Sequence, residues 1–235
     1  MIKTYLNDKD IKGMIKAAAC LRDAIIIKLF SSIGCRVSEL ISIRKDDIDF
    51  TNHLIAIKHL KQNIRKKCPS CGITVGRKHT FCPKCGNKLE ITDPETEVRR
   101  RLVPVDAATL ELIADYLNKR KSTSDKIIPL TRQAVYNVIR AAAEDSGLGG
   151  AVMFLPDSKG ASGIGEGKHY VHCHSFRDAL AVKWLTAKPS DIEFQKALQE
   201  YLGHKSFNTT TQYYKLVPAR ISSIYEEVMS GRNTS

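Results

Sequence analysis

The feature that most constrains the fold is a pair of CPxCG motifs within a segment that is poor in large aliphatic residues. Residues 65–93 contain CPSCG and CPKCG and are rich in Cys, Gly, Pro and Lys. Two cysteines three positions apart on a glycine-ended turn can direct both thiolates at one tetrahedral ion, and a second such turn completes the shell. We therefore expect a zinc ribbon over 65–93, in which metal binding supplies the folding free energy. The predicted zinc ligands are Cys68, Cys71, Cys82 and Cys85.

A shell of four thiolates leaves no open position on the metal, so the predicted Zn²⁺ is structural rather than catalytic. The alternative is two unrelated CxxC pairs with redox or structural roles. His79 lies between the motifs, and we expect it to be exposed rather than a ligand. The remaining cysteines, Cys20, Cys35 and Cys173, stand alone, which is typical of an intracellular protein without disulfides.

Outside the ribbon, the spacing of apolar residues predicts a mainly helical α+β domain with a small antiparallel sheet. Residues 8–33 are expected to form two helices, the first capped by Asp8 and the second ending before Gly34. Strands are predicted around 53–58 and 98–105. Further helices are predicted over 37–43, 107–120, 131–146, 174–187, 191–202 and 218–229, and a glycine-rich loop over 147–167.

The net charge indicates the class of partner. The chain of 235 residues carries 37 Lys and Arg against 25 Asp and Glu, a formal net charge of +12. Because Lys and Arg drive nucleic-acid binding by neutralising phosphates, nucleic acid is the first candidate, and a merely soluble basic protein is the alternative. No apolar run approaches the roughly 18–20 residues of a membrane span, and the N-terminus is too polar for a secretory signal. We expect a cytoplasmic protein without a membrane partner.

Four short boxes follow one another along the chain. They are GCRVSEL at 34–40, RLVPV at 101–105, HSFR at 174–177, and LGH at 202–204 with Tyr213 nine residues beyond its histidine. Each box is weak alone, since an Arg after a helix is usually a surface cation and a Tyr-Tyr pair is usually core. Together and in this order they resemble the tyrosine recombinase (phage integrase) family over nearly the whole chain.

The resemblance implies a tyrosine-recombinase-type catalytic domain over 1–235, with the zinc ribbon inserted in its β-hairpin and without the N-terminal core-binding domain of most members. It also implies phosphodiester exchange through a covalent 3′-phosphotyrosyl intermediate that needs no catalytic metal. Preorganised cations would stabilise the negative charge that gathers on the non-bridging oxygens. The positions that match the family's catalytic residues are Arg36 and Arg177 (cations), Lys61 (general acid), His174 (general base), His204 (phosphate donor) and Tyr213 (nucleophile).

Several assignments keep alternatives. Lys58 is the second candidate for the general acid, because the inserted ribbon departs from the family's short hairpin turn. Tyr214 is the second candidate for the nucleophile, although the nine-residue spacing from His204 favours Tyr213. Asp178 stands where the family often has a histidine. A second metal site at His169, His172, Cys173 and His174 is a minor alternative, since the spacing matches no recognised site.

The function that the resemblance implies is a site-specific DNA recombinase, an integrase of a mobile element that acts on double-stranded DNA as a homo-tetramer in the synapse and is a monomer when free. The alternatives are type IB topoisomerase-like relaxation of DNA and a non-catalytic zinc-ribbon DNA-binding protein. The apolar stripe of the predicted helix at 218–229 fits either its own core or a neighbouring protomer.

Overall fold

The computed structural model describes residues 2–3, 5–58, 65–76, 79–89, 100–149, 152–153, 170–187, 191–204, 206–211 and 213. Its helices are α1 (Asp8–Lys16), α2 (Leu21–Ile33), α3 (Val37–Leu40), α4 (Ala107–Lys119), α5 (Arg132–Asp145), α6 (Cys173–Ala187), α7 (Ile192–Leu202) and α8 (Phe207–Thr211), with a 3-10 helix at Lys45–Asp47. Its strands are β1 (Ile2–Lys3), β2 (Ile48–Asp49), β3 (Leu54–Lys58), β4 (Arg65–Lys67), β5 (Thr74–Gly76), β6 (Arg100–Pro104) and β7 (Val152–Met153).

The prediction of a mainly helical domain with a small antiparallel sheet is confirmed. β3 lies between β2 and β6 in a three-stranded sheet, and β2 pairs with β3 in antiparallel register, Ile48 opposite Ile55. Alternate residues of β3, Ile55 and Ile57, are buried. This alternation is expected for a sheet that covers the core with one face.

Helix α2 is the centre of the core. Its long apolar run is buried at Ile25, Ile26, Leu29 and Phe30, as expected for a helix surrounded by protein rather than one that faces water. The Phe30 ring stacks on the ring of Phe176 in α6, with centroids 6.0 Å apart. α2 therefore joins the first half of the chain to the helix that carries the HSFR box.

Helix ends explain where the elements differ from the prediction. Asn7 rather than Asp8 caps α1, because its side chain accepts from the Asp10 amide at 2.9 Å while Asp10 accepts from the Asn7 amide at 3.0 Å. α3 ends at Leu40 instead of residue 43, where Ser42 donates its hydroxyl to the Glu39 carbonyl at 2.7 Å. The predicted helix at 218–229 and most of the loop at 147–167 lie outside the described residues.

The chain divides into two compact units, Met1–Ile57 with Arg101–Ser235, and Lys58–Arg100. In the second unit, β4 and β5 form an antiparallel hairpin with Lys66 opposite Val75. Its buried cluster consists of Cys68, Val75, Cys82 and Leu89, with Cys71 packed beside it. Within the part of the chain that the structure describes, no helix has both the length and the apolar character for crossing a membrane.

Candidate active site

The GCRVSEL box leaves α2 through a left-handed glycine. Gly34 has φ 54° and donates its amide to the Phe30 carbonyl at 3.1 Å, which ends the helix. A Cβ at this position would lie 2.8 Å from a methyl group of Leu180 and 2.9 Å from one of Leu202. Glycine is therefore required both for the conformation and for the close packing of this turn against α6 and α7.

Arg36, directly after this turn, is anchored by Glu39. Its Nη1 donates to Glu39 Oε1 at 2.9 Å and its amide donates to Oε2 at 3.0 Å. Oε2 also accepts from Nη2 of Arg101, in β6, at 2.9 Å. Burial alone would raise the pKa of Glu39, but the hydrogen bond and charge of Arg101, together with Arg36, lower it below its usual value.

Among the residues that the structure describes, Arg177 is the largest fully buried side chain, with 1% of its surface exposed. Its Nη1 donates to the Gly34 carbonyl at 2.6 Å and its Nη2 to the Leu202 carbonyl at 2.6 Å. One guanidinium therefore ties the end of α2 to the end of α7. Its Nε is buried without a hydrogen-bond partner among the described residues.

His174 and His172 have different roles at the start of α6. Nδ1 of His172 accepts from the amides of His174 at 3.1 Å and Ser175 at 3.2 Å, so this ring caps the helix. Although the His174 side chain is partly exposed, packing around its ring lowers its pKa to about 4, and the charges of Arg177 and Arg36 lower it further. His174 is therefore neutral at pH 7 and able to accept a proton.

His204 and Tyr213 form a stacked pair at the end of α7. Their ring centroids are 5.7 Å apart, and Nδ1 of His204 lies 2.9 Å from Thr210 Oγ1. Burial, with the charges of Arg177 and Arg36, lowers the pKa of His204 to about 3. Burial raises the pKa of Tyr213, and Asp178 raises it further, against the opposing charges of Arg177 and Arg36. Both rings are therefore uncharged at pH 7.

Asp178 adds an unusual carboxyl group to this cluster. It is 5% exposed, and burial raises its pKa to about 7, although the neighbouring charge of Arg177 acts in the opposite direction. In the sequence, Asp178 is notable only because the recombinase family often has a histidine at this position. A carboxyl group that is partly protonated at neutral pH weakens the nearby negative field that would oppose ionisation of Tyr213.

Five of the six predicted catalytic residues act on one another electrostatically in the first unit: Arg36, His174, Arg177, His204 and Tyr213. Lys61 and Tyr214 lie outside the described residues, and Lys58 ends β3 in the second unit. The sequence analysis gave no role to Glu39 and Arg101, which contact each other at this site. Their position within the GCRVSEL and RLVPV boxes was the feature that could have indicated a role.

The four predicted zinc ligands converge in the second unit. Their Sγ atoms all lie within 4.8 Å of one another, with Cys68 and Cys85 3.5 Å apart and Cys71 and Cys82 3.5 Å apart. Zn–S bonds of about 2.3 Å in a tetrahedron place sulfur atoms roughly 3.8 Å apart, so the cluster fits Zn²⁺.

The geometry supports neither His79 as a zinc ligand nor a second metal site at His169, His172, Cys173 and His174. Among the described residues, no other group of three or more His, Cys, Asp or Glu side chains converges in this way. His79 is exposed and is not part of the cysteine cluster, and His172 is occupied as a helix cap. His169 lies outside the described residues.

Residues 4–70 and 88–220 match the phage integrase family. The chain belongs to this family. The unmatched residues between the two stretches, 71–87, include three of the four clustered cysteines, Cys71, Cys82 and Cys85.

Relatives in the family include recombinases and a regulatory protein. The chain is 26% identical over 202 residues to the probable integrase/recombinase protein MJ0367 of Methanocaldococcus jannaschii, covering 82% of this chain and 45% of the relative. It is 28% identical over 208 residues to tyrosine recombinase XerC of Syntrophus aciditrophicus, covering 88% and 53%. It is 24% identical over 228 residues to the type 1 fimbriae regulatory protein FimE of Escherichia coli, covering 95% and 91%. The chain thus spans about half the length of the first two proteins and most of FimE.

Solved structures of phage integrase relatives share the fold. The XerA recombinase superposes with a TM-score of 0.62 at 18% identity, over 100% of this chain and 67% of that one. The XerH recombinase bound to its palindromic difH substrate, in a post-cleavage complex, gives a TM-score of 0.60 at 17% identity, over 96% and 53%.

Proposed function

We propose that this chain is a site-specific DNA recombinase of the integrase type, which cleaves and rejoins DNA through a covalent 3′-phosphotyrosyl intermediate on Tyr213. The observation that carries the proposal is the convergence of two arginines, two neutral histidines and a buried tyrosine from sequence boxes far apart in the chain. Membership of the phage integrase family supports it.

In the cleavage step, the Tyr213 oxygen attacks phosphorus while the bond from phosphorus to the 5′ oxygen breaks. Because its pKa is raised, the phenol must lose its proton as it attacks. His174 is neutral at pH 7 and is the proposed acceptor of that proton. Rejoining reverses the step, with a 5′-hydroxyl as the nucleophile.

The transition state gathers negative charge on the non-bridging oxygens, and Arg36 and Arg177 are the proposed counter-charges. Arg177 cannot relocate easily, because both of its terminal nitrogens are bound to carbonyl groups. Arg36 is anchored on one side by Glu39 and partly open on the other. Preorganised cations of this kind stabilise the transition state without reorganisation during the reaction.

His204 is the proposed hydrogen-bond donor to a phosphate oxygen. When Thr210 donates its hydroxyl proton to Nδ1 of His204, the proton of the neutral imidazole is on Nε2. That nitrogen can then donate to the phosphate. Thr210 is fully buried, which restricts the ring to this orientation.

Lys61 is the proposed general acid for the leaving 5′ oxygen, with Lys58 as the alternative. A leaving alkoxide needs a proton, and the family supplies it from a lysine on the β-hairpin. Lys61 follows β3 by three residues along the chain, which supports the assignment.

The ribbon is the proposed site of a structural Zn²⁺, held by Cys68, Cys71, Cys82 and Cys85. Its chemistry would be to cross-link the two CPxCG turns, since four thiolates leave no position for substrate. Residues 58–101 hold twelve Lys and Arg against four acidic residues. This excess supports contact between the ribbon segment and the phosphates of double-stranded DNA.

The proposed assembly on DNA is a homo-tetramer. Exchange between two duplexes requires a break in each of four strands, and each break consumes one tyrosine nucleophile. One protomer provides one Tyr213, so four protomers complete the exchange.

A suicide substrate tests the proposed activity. Duplexes from the DNA that flanks the coding gene, where an integrase of a mobile element leaves attachment repeats, carry nicks so that the cleaved fragment diffuses away. We expect a protein–DNA adduct stable to detergent, with the 3′ phosphate on the protein. Bound DNA without an adduct would identify a non-catalytic binding protein, and relaxation of a plasmid without these sequences would identify topoisomerase-like activity.

A further inference from the structure

We propose that Arg101 is a positioning residue, which holds Glu39 and thereby Arg36, and which also holds the end of α7 that precedes His204. The catalytic part of this proposal rests on the proposed function, because Arg36 and His204 are its proposed phosphate ligands. Arg101 itself does not touch the reacting atoms. It acts through two neighbours that belong to different boxes of the sequence.

The contacts of Arg101 point in two directions. Nη2 donates to Glu39 Oε2 at 2.9 Å, and Nε donates to the Tyr201 carbonyl at 3.0 Å. The side chain is only 13% exposed and that of Glu39 only 1%, so neither contact is a solvated surface pair. Buried charge-assisted hydrogen bonds have defined geometry, and losing one partner leaves the other without compensation.

The Glu39 carboxylate is therefore shared by two guanidinium groups. Arg36 uses Oε1 through Nη1 and Oε2 through its amide, while Arg101 uses Oε2. Without Arg101, a buried carboxylate would retain one cation in direct contact, and protonation would become more favourable. A protonated Glu39 holds the Arg36 guanidinium less strongly, which allows that cation to move away from its phosphate-binding position.

The second contact supports the LGH box. Arg101 packs so closely on Gly203 that a Cβ there would lie 3.1 Å from Nη1 and 3.4 Å from Cζ. Gly203 has φ 69° and immediately precedes His204. Arg101 therefore fills the space behind the turn that aims the His204 ring, and its Nη1 is buried without a partner among the described residues.

The first test measures Glu39 in the free protein and does not depend on DNA cleavage. Carboxyl carbon NMR follows the ionisation of Glu39, with the signal identified by its loss in Glu39→Gln. We expect Arg101→Gln to increase the proton affinity of Glu39 at least about ten-fold. The other charged and titratable groups beside the Glu39 carboxylate are Arg36, Arg177 and the Cys35 thiol, which this variant leaves in place.

The second test measures single-turnover cleavage of the suicide substrate at saturating protein. We expect Arg101→Gln to lower the rate by roughly 100-fold, as for small misplacements of reacting groups. Its DNA affinity should remain near wild type, and the acidic limb of its pH–rate profile should move to higher pH. Arg101→Lys keeps the positive charge but cannot donate to Glu39 and the Tyr201 carbonyl from one planar group. We expect its proton affinity of Glu39 to be closer to the wild-type value, and its cleavage rate to fall less than that of Arg101→Gln.

Arg140→Gln is the control, because Arg140 is exposed on α5 and its loss removes the same charge. Its cleavage rate should stay within about two-fold of wild type.

An unchanged proton affinity of Glu39 in a folded Arg101→Gln protein would overturn the positioning role, whether or not the wild-type chain cleaves DNA. Equal losses in the Arg140 and Arg101 variants would overturn it as well, since they would indicate a general charge effect. A wild-type protein that forms no adduct, but whose Glu39 responds as expected, would contradict only the proposed recombinase activity.

Discussion

The ring of His204 stacks on the ring of Tyr213, with centroids 5.7 Å apart and planes inclined by 18°. The short helix α8 lies between them in the chain and brings Tyr213 back over the end of α7. The stacking places the proposed nucleophile beside the proposed phosphate donor. It also protects the phenol from water, which contributes to its raised pKa.

Tyr213→Phe should abolish the covalent protein–DNA adduct while leaving DNA binding intact, because the ring and its stacking on His204 remain and only the attacking oxygen is lost. Denaturing gel electrophoresis of the suicide-substrate reaction measures the adduct, and a mobility shift measures binding. Tyr214→Phe and Tyr170→Phe, the latter at an exposed position, are the controls and should retain the adduct. An adduct that persists in Tyr213→Phe but disappears in Tyr214→Phe would move the nucleophile to Tyr214.

Arg177→Lys should lower both stability and activity, because a lysine cannot donate to the Gly34 and Leu202 carbonyls in the same fixed geometry. We expect a loss of about 2–4 kcal/mol in the free energy of unfolding, measured by urea titration, since a buried charge and two buried carbonyls lose their pairing. Adduct formation should fall by roughly 100-fold or more. Arg140→Lys, at an exposed position of α5, is the control and should change neither quantity appreciably. A stability equal to wild type would show that the two carbonyl contacts are dispensable.

Asp178→Asn should stabilise the protein in a pH-dependent way. The folded-state pKa of Asp178 is raised to about 7, so the contribution of Asp178 to stability is fully present below the unfolded pKa, near 4, and is lost as pH rises through 7. The amide does not ionise. The variant should therefore gain up to about 4 kcal/mol over wild type at pH 8 and little at pH 4.

Chemical unfolding of both proteins from pH 4 to pH 8 measures this difference. His174 and His204 also titrate differently in the folded and unfolded states, but they are present in both proteins and cancel in the comparison. A constant stability difference across this range would contradict the raised pKa of Asp178.

Cys82→Ser should weaken metal binding by roughly 100-fold or more, because a binding free energy of about 10–16 kcal/mol is shared among four thiolates. Elemental analysis should find one equivalent of Zn²⁺ in the wild type, and Co²⁺ substitution should give the absorption of a tetrahedral thiolate site. Cys20→Ser, which changes an exposed cysteine outside the cluster, is the control and should keep both signals.

Chelation should expose the segment 58–100 to trypsin before the rest of the chain. A wild-type protein without tightly bound metal would contradict the zinc ribbon.

Local signals in the sequence were sufficient for the longer helices and for the cysteine cluster, but not for β1, β7 and α8, which the sequence did not predict. Apolar spacing places α2, α4 and α7 within about one residue of their observed ends, and Gly34 and Gly203 mark two of those ends. The repeated CPxCG turns predict the convergence of four cysteines, because each turn sets the geometry of its own pair. The cap of α1 was misplaced by one residue, since Asn7 and Asp8 are both good capping residues.

The sequence by itself determined the order of the boxes, the identity of Arg36, His174, Arg177, His204 and Tyr213 as candidates, and the four clustered cysteines. Only the tertiary structure decided that Arg177 is buried and donates to two carbonyls, that burial raises the pKa of Asp178 to about 7, and that Arg101 reaches Glu39 from a strand distant in sequence. The physical reason is that pattern and capping depend on neighbours along the chain. Burial and charge pairing depend on groups that come together only when the core closes.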